Sequence, residues 1–312
     1  MKADTHDSNT DAQSSMSFRD ELVWYWQQWP AKPLWIALLL AWLALFQFLG
    51  NSTLGYIETH SLFGWMRYSY SNHPDDEHGY IIPIVVLTLF WWKRKELLAV
   101  AGKTWWPALG VVILGLALHL VGYRVQQTRI SIVACVIGLY GLLGLTWGRQ
   151  FMIRSFFPMV LFIFSVPLST VSDTLTYPLR MLVTKISFTI GREVLAMPIA
   201  RDGSRILGPD GGYDVVAACS GLRSLTALGA VTMIYAFLAF TTQWRRWLVL
   251  LAAIPLAIAG NVGRVTTVII LGDVFGRSTA MELEQYLGMV TFSVALGCLL
   301  LIGHWLRTPQ ET

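Results

Sequence analysis

Charge is scarce in this 312-residue chain: Asp, Glu, Lys and Arg make up 13% of it, whereas hydrophobic residues make up 54%. A chain with so little polar surface cannot enclose a core in water, which excludes a soluble domain of this size. Cysteine is scarce too. The three present, Cys135, Cys219 and Cys298, are an odd number. Two of them sit deep inside apolar runs, which argues against a disulfide framework and gives Cys135 and Cys298 the role of small core hydrophobes. No dense Lys/Arg run with interleaved aromatics stands outside the apolar segments, so the net charge of +4 marks no nucleic-acid partner. No phosphate-cradling or dinucleotide spacing occurs either. "GPDGG" reads as a turn, and "SNHPDDEH" at 71–78 reads as a solvated loop without zinc or calcium ligand spacing, so neither metal nor cofactor is expected. Histidine is absent between His119 and His304.

What the chain has in abundance is apolar length and aromatics, with 14 Trp, 11 Tyr and 15 Phe to anchor helix ends at a headgroup layer. Eight runs approach the roughly 20 residues needed to cross a bilayer core, near 33–50, 79–92, 105–122, 130–147, 151–172, 217–240, 247–271 and 286–306. The expected fold is therefore an all-α polytopic membrane protein of about eight transmembrane helices. The first thirty residues lack the basic-then-apolar order of a cleaved signal peptide. They read as a disordered, then interfacial cytoplasmic tail (1–32), followed by a transmembrane domain (33–306) and a short cytoplasmic tail (307–312). Lys93, Arg94, Lys95, Lys103, Arg149, Arg154, Arg245 and Arg246 fall in alternate loops, which places those loops and both termini on the cytoplasmic side. "GLYGLLG" in the fourth run reads as a small-residue helix contact.

The long segment 173–216 then falls outside. Its first half spaces Leu175, Leu179, Leu182, Val183, Ile186, Ile190 and Val194 at helical intervals, predicting an amphipathic helix in the interface. Its second half is punctuated by Asp-Gly and Gly-Pro-Asp-Gly-Gly, predicting a tight hairpin or ordered loop.

Polar groups converge at the outer end of the last three runs. Cys219 and Arg223 begin the sixth run four residues apart, on one helix face. Arg264 lies near the outer end of the seventh, with Asn261 sharing its face, and Glu284 precedes the eighth. An intramembrane arginine needs compensation, either from a carboxylate or from carbonyls freed where Gly260 and Gly263 loosen the helix. A thiol at a helix N-terminus beside cations is stabilised as the thiolate, and a second arginine at that depth could stabilise an oxyanion.

The stretch "VVAACSGLRSL", the later "IPLAIAGNVGRV" and the earlier "HGYIIPIVVLTLFWWKRK" resemble the exosortase/archaeosortase family over roughly residues 78 to 292. The resemblance implies a cysteine transpeptidase or protease of the bacterial inner membrane, with its active site facing the periplasm. Its implied partners are exported proteins ending in a Pro-Glu-Pro-like motif, a transmembrane helix and a basic tail, together with membrane lipid and an acceptor nucleophile. Carried over to this chain, Cys219 is the nucleophile and Arg264 the essential arginine, with Arg223, Asn261 and Ser220 in support. The family's third member, a His four residues before a Gly, is replaced here by Glu284 in "EQYLGMVTF"; His78 is an alternative proton-transfer group. A transporter or lipid-linked-glycan binding protein, its arginines holding an anionic headgroup, and a non-catalytic assembly partner are the competing expectations.

Overall fold

The computed structural model describes residues 17–53, 57–168, 172–208, 211–214 and 222–307. The described part is helical apart from one small sheet, and it divides into two units: Met1–Ser69 with Tyr80–Val166, and Tyr70–Gly79 with Pro167–Thr312. Among the described residues, four helices are long and apolar enough to cross a membrane, and two shorter apolar helices accompany them. Their outward faces carry exposed large hydrophobics such as Leu40, Leu120, Leu251, Val294 and Leu301, which suits a surface wetted by lipid rather than by water. The chain is a multi-pass helical membrane protein.

The first unit begins with α1 (Phe18–Gln28) and α2 (Lys32–Leu49). The interfacial segment expected from the aromatic run is thus a folded helix, tied down at its C-terminus where Lys32 Nζ donates to the carbonyls of Trp26 (3.0 Å) and Gln27 (2.9 Å). Then follow α3 (Leu62–Asn72), which ends in the second unit, α4 (Ile82–Trp92), α5 (Arg94–Val100), α6 (Ala108–Arg124), α7 (Thr128–Trp147) and α8 (Arg149–Val160). Helices α6 and α7 form a close hairpin because glycine faces glycine. A Cβ on Gly115 would fall 2.8 Å from the Gly138 nitrogen, and one on Gly141 2.8 Å from the Val112 nitrogen. The opposite side of Gly138 receives the Trp42 ring, whose indole N–H donates to the Cys135 carbonyl at 3.0 Å. Cys135 is therefore packing material, as its surroundings suggested.

Two expected spans differ from their sequence outline. The run at 79–92 becomes helical only at Ile82, where Pro83 in the first turn sets φ for a helix start; Pro74–Tyr80 before it forms a 3₁₀ turn. Within that turn Asp76 is buried and accepts the Leu168 N–H at 2.9 Å, so the acidic stretch is partly folded in, not wholly solvated. The run at 151–172 ends its α-helix at Val160, two residues after the internal Pro158, and continues as a 3₁₀ turn, Leu161–Ser165. Proline removes one backbone donor and clashes with the preceding turn, which accounts for the tightening.

The second unit contains α9 (Ser172–Thr189), extended by a π turn Ile190–Val194, then β1 (Ala200–Asp202), β2 (Arg205–Gly208) and β3 (Gly211–Asp214), then α10 (Leu222–Ala239), α11 (Gln243–Phe275) and α12 (Arg277–Leu306). The expected amphipathic helix is present as α9. The segment expected as a tight hairpin or ordered loop is a three-stranded antiparallel meander in the order β1-β2-β3. Asp202 pairs with Arg205 across Gly203, which has φ of 58°, and Gly208 pairs with Gly211. Helices α11 and α12 are antiparallel neighbours reversed at Gly276, where φ is 85° and a side chain would be strained.

Candidate functional site

Helix α11 presents two apolar faces, and the polar site lies between their ends. One face carries Val262, Val265, Ile269 and Ile270, which pack with Leu179, Val183 and Phe188 of α9 and with Met197, Ile199 and Ile206 of the sheet region. The other carries Val249, Ala253 and Ala257, which pack with Leu228 and Phe240 on the α10 side and with Ala295 and Leu299 of α12. Continuing that second face by helical steps from Ala257 gives Asn261, Arg264 and Val268. The α9 and sheet contacts mark this half of α11 as the one nearest the meander. Leu228, in the first half of α10, borders the same cleft as Asn261 and Arg264. Arg264 and Asn261 therefore lie in the half of the unit at which α10 starts.

Glycine makes room for the arginine. Helix α12 sends Glu284, Gly288, Thr291 and Ala295 toward α11 at intervals of four, three and four residues. The Arg264 guanidinium lies over Gly288, where a Cβ would come within 3.4 Å of its central carbon. It reaches one turn further to Glu284, with Nη2 donating to Oε1 at 2.5 Å. The Arg264 and Glu284 side chains are 19% and 10% exposed, so this is an enclosed ion pair and not a surface one. An isolated arginine at the bilayer centre costs at least about 2.5–3.5 kcal/mol, and less toward the interface. The carboxylate offsets that cost with a short charge-assisted hydrogen bond.

Of the two compensations open from sequence, the carboxylate is the one realised: α11 runs unbroken through Gly260 and Gly263. The spacing Glu-x-x-x-Gly acquires a physical reason, because the residue one turn before the glycine is the one that a guanidinium lying across the glycine can reach.

Asn261, one turn from Arg264, is 5% exposed, and neither its Nδ2 nor its Oδ1 has a hydrogen-bond partner among the described residues. It borders a narrow cleft shared with Leu228, Gly260, Arg264 and Thr291, with room of about 10 Å³, about that of one water molecule. The Thr291 hydroxyl donates back to the Leu287 carbonyl at 2.8 Å, which leaves its oxygen able to accept. His78 lies half-buried in the 3₁₀ turn of Pro74–Tyr80, and His304 at the opposite end of α12 from Glu284. Cys219 and Ser220 lie outside the described residues, as does the side chain of Arg223, whose backbone opens α10. The expected nearness of Cys219 to Arg264 therefore concerns residues outside this description. Gly288 entered the sequence reading only as the glycine four residues after Glu284, and Thr291 was not singled out; its signal is the three-residue step that follows.

A family model described as transmembrane exosortase matches residues 65–301. The chain belongs to the transmembrane exosortase family. The match takes in the small-residue hairpin of α6 and α7, the meander, and the whole Arg264–Glu284 site of this exosortase. No curated protein and no solved structure matches the chain.

Proposed function

We propose that this exosortase is a cysteine-dependent peptidase or transpeptidase that cleaves the C-terminal sorting signal of exported proteins at the outer face of the bacterial inner membrane. Eight crossings with both termini in the cytoplasm, a tail over 1–32, a transmembrane domain over 33–306 and a cytoplasmic end over 307–312 are part of this reading. The substrate carries a Pro-Glu-Pro-like motif, its own transmembrane helix and a basic tail. It meets the enzyme within the membrane, where tethering raises effective concentration.

The observation that supports the reading most is the held guanidinium of Arg264, paired with Glu284 in an enclosed setting at the end of the unit where α10 begins. In the proposed course Cys219 enters as a thiolate, its proton already lost to water, stabilised by the helix start and Arg223. Sulfur attacks the scissile carbonyl, a C–S bond forms, and the carbonyl electron pair moves to oxygen, which faces Arg264. Collapse breaks the C–N bond, the amine leaves with a proton drawn from water, and water or an acceptor amine resolves the thioester. Glu284 holds Arg264 in place, and Ser220 and Asn261 flank the reacting groups. His78 is the alternative group for moving a proton.

The ion pair weighs against the transporter or glycan-binding reading. A guanidinium already neutralised by Glu284 offers less to an anionic headgroup than a lone cation would. The test is Cys219→Ala in cells that also express a tripartite-signal substrate. Loss of substrate processing with normal enzyme insertion is expected, and continued processing would overturn the proposal.

A further inference from the structure

The segment that joins α9 to the sheet has a form that packing alone does not require. Helix α9 runs into the π turn Ile190–Val194, a geometry that is rare and concentrated at functional sites. Two residues later Ala196 has φ of 53°, a left-handed conformation that a residue with a Cβ seldom adopts. The reversal is pinned where the Met197 N–H donates to the Gly191 carbonyl at 3.0 Å. Together these features bring Arg192 and the stretch from Ala196 to Ala200 around one groove.

The groove holds about 580 Å³ and is lined by Arg192, Ala196, Met197, Pro198, Ala200 and Leu207 among others. That volume falls within the roughly 300–1,000 Å³ of ordinary ligand clefts. Ala200 and Leu207 are cross-strand partners on the exposed face of β1 and β2. Ile206, on the other face, is buried in the cluster that contains Val265 and Ile269 of α11. Met197 and Ile199 line the groove and belong to that same cluster, so one layer of side chains separates the groove from the turn of α11 that follows Arg264. Val194 and Leu195, in the turn itself, are also exposed, and apolar residues gathered in the open beside a concave surface mark a binding site.

The lining selects the chemistry of the occupant. Among the described residues Arg192 is the one charged side chain of the groove, and its Nη1 donates to the Ile199 carbonyl at 3.2 Å. That bond fixes the guanidinium and leaves further donors in its planar fork for a carboxylate. Ala196, Pro198 and Ala200 are compact, which suits a carboxylate whose neighbours in the chain are compact and apolar. A wall of strand beside a concave turn suits an extended peptide, whereas a lipid phosphate needs only an exposed cation. Five residues of chain separate Asp214 at the end of β3 from Cys219, a span of at most about 18 Å. With two strand spacings added, an extended substrate needs no more than about eight residues between the groove and the nucleophile.

We infer that this groove is the docking subsite for an acidic residue of the polypeptide substrate, with Arg192 as its specificity-determining cation. The inference rests on the peptidase reading and deepens it: the glutamate between the prolines of the sorting signal is the residue that Arg192 receives, and the prolines pack on Pro198 and Leu207.

The experiment is a charge exchange with full-length enzyme in cells, read as the initial rate of substrate processing in a pulse-chase. Arg192→Glu is expected to slow processing of the parent substrate about five- to tenfold, through loss of a partly exposed charge pair and the repulsion that replaces it. A substrate with arginine in place of the motif glutamate is expected to be slowed alike with the parent enzyme. The two changes together are expected to restore the rate to within about twofold of the parent pair, the coupling that a direct contact gives. A merely structural arginine would slow both substrates by the same factor, and a lipid-binding one would do so while the parent enzyme processed both substrates equally; either result overturns the inference. Should Arg192→Glu fail to accumulate, Arg192→Gln is combined with a substrate carrying glutamine at the motif position, and additive losses in that cycle overturn it. Failure of the peptidase reading is separate: it would appear as undiminished processing of the parent substrate by Cys219→Ala.

Discussion

Replacing Glu284 by Gln keeps the shape of the side chain and removes only its charge, which isolates what the carboxylate contributes to α11 and α12. The pair is enclosed, at 19% and 10% exposure, so solvent screens it little. Removing one partner of a buried ion pair costs about 3–5 kcal/mol, because the other charge is left uncompensated. The Gln oxygen still accepts from Nη2 and recovers about 1 kcal/mol, as for a single neutral hydrogen bond. The expected net loss for Glu284→Gln is thus about 2–4 kcal/mol. The assay is denaturant-induced unfolding of the purified full-length protein in mixed micelles, followed by helical circular dichroism and paired with substrate processing in cells. A second arm separates stability from chemistry: Arg264→Met with Glu284→Met removes both charges and fills the space with apolar atoms. It is expected to return to within about 1 kcal/mol of the parent in stability, since such replacements are often neutral, while processing is lost. If Glu284→Gln matches the parent in both stability and processing, the ion pair does not carry the role argued for it. If the double Met variant is as unstable as Glu284→Gln, the cost arises from packing and not from an orphaned charge.

Two other substitutions probe glycines over which a neighbouring side chain lies. Gly288→Leu fills the space under the Arg264 guanidinium, where even a Cβ would lie at 3.4 Å, and is expected to reduce processing at least tenfold while Gly288→Ala keeps most of it; equal rates for the two would refute the placement. Gly138→Val drives a side chain into the Trp42 ring, which a Cβ would meet at 2.0 Å, and is expected to cost about 1–3 kcal/mol in unfolding measurements; an unchanged unfolding curve would show that the ring yields freely.

Sequence reveals what is periodic or punctuated, and little of what depends on how two helices face each other. Helix α9 and a reversal of the chain after it were legible because apolar residues recur at helical intervals in the one and Asp-Gly and Gly-Pro-Asp-Gly-Gly punctuate the other. The third strand was not, since strands of three or four residues are too short to display alternation. The short extents of α4 and α8 escaped for a related reason: hydropathy registers apolar length, while Pro83 and Pro158 decide where helical hydrogen bonding starts and tightens. Arg264 and Glu284 were placed at a similar depth by counting residues. Their pairing was one of two alternatives, because it depends on the rotation of α12 that brings Gly288 under the guanidinium. Nothing in the sequence indicated that the Asn261 amide would be enclosed without partners, a property of the cleft and not of the residue.

Glu284 sets the charge balance around Arg264, and the consequence follows from distance dependence. A lone guanidinium acts as a monopole that attracts any anion nearby, including lipid phosphate. Paired at 2.5 Å with a carboxylate, it becomes a dipole whose field falls off faster, so its pull on distant anions fades while its remaining N–H groups still act at hydrogen-bonding range. In the proposed reaction that distinction is useful. The substrate carbonyl is neutral until sulfur attacks it, and negative charge then develops within contact distance, where directional donors act most strongly. In that proposed reaction the same pairing removes Arg264 as a long-range source of positive potential for the thiolate, and the task would pass to Arg223 and to the start of α10. A neutral histidine at position 284 would leave Arg264 serving both purposes, so the proposed reaction divides between two arginines what one unpaired arginine could do alone.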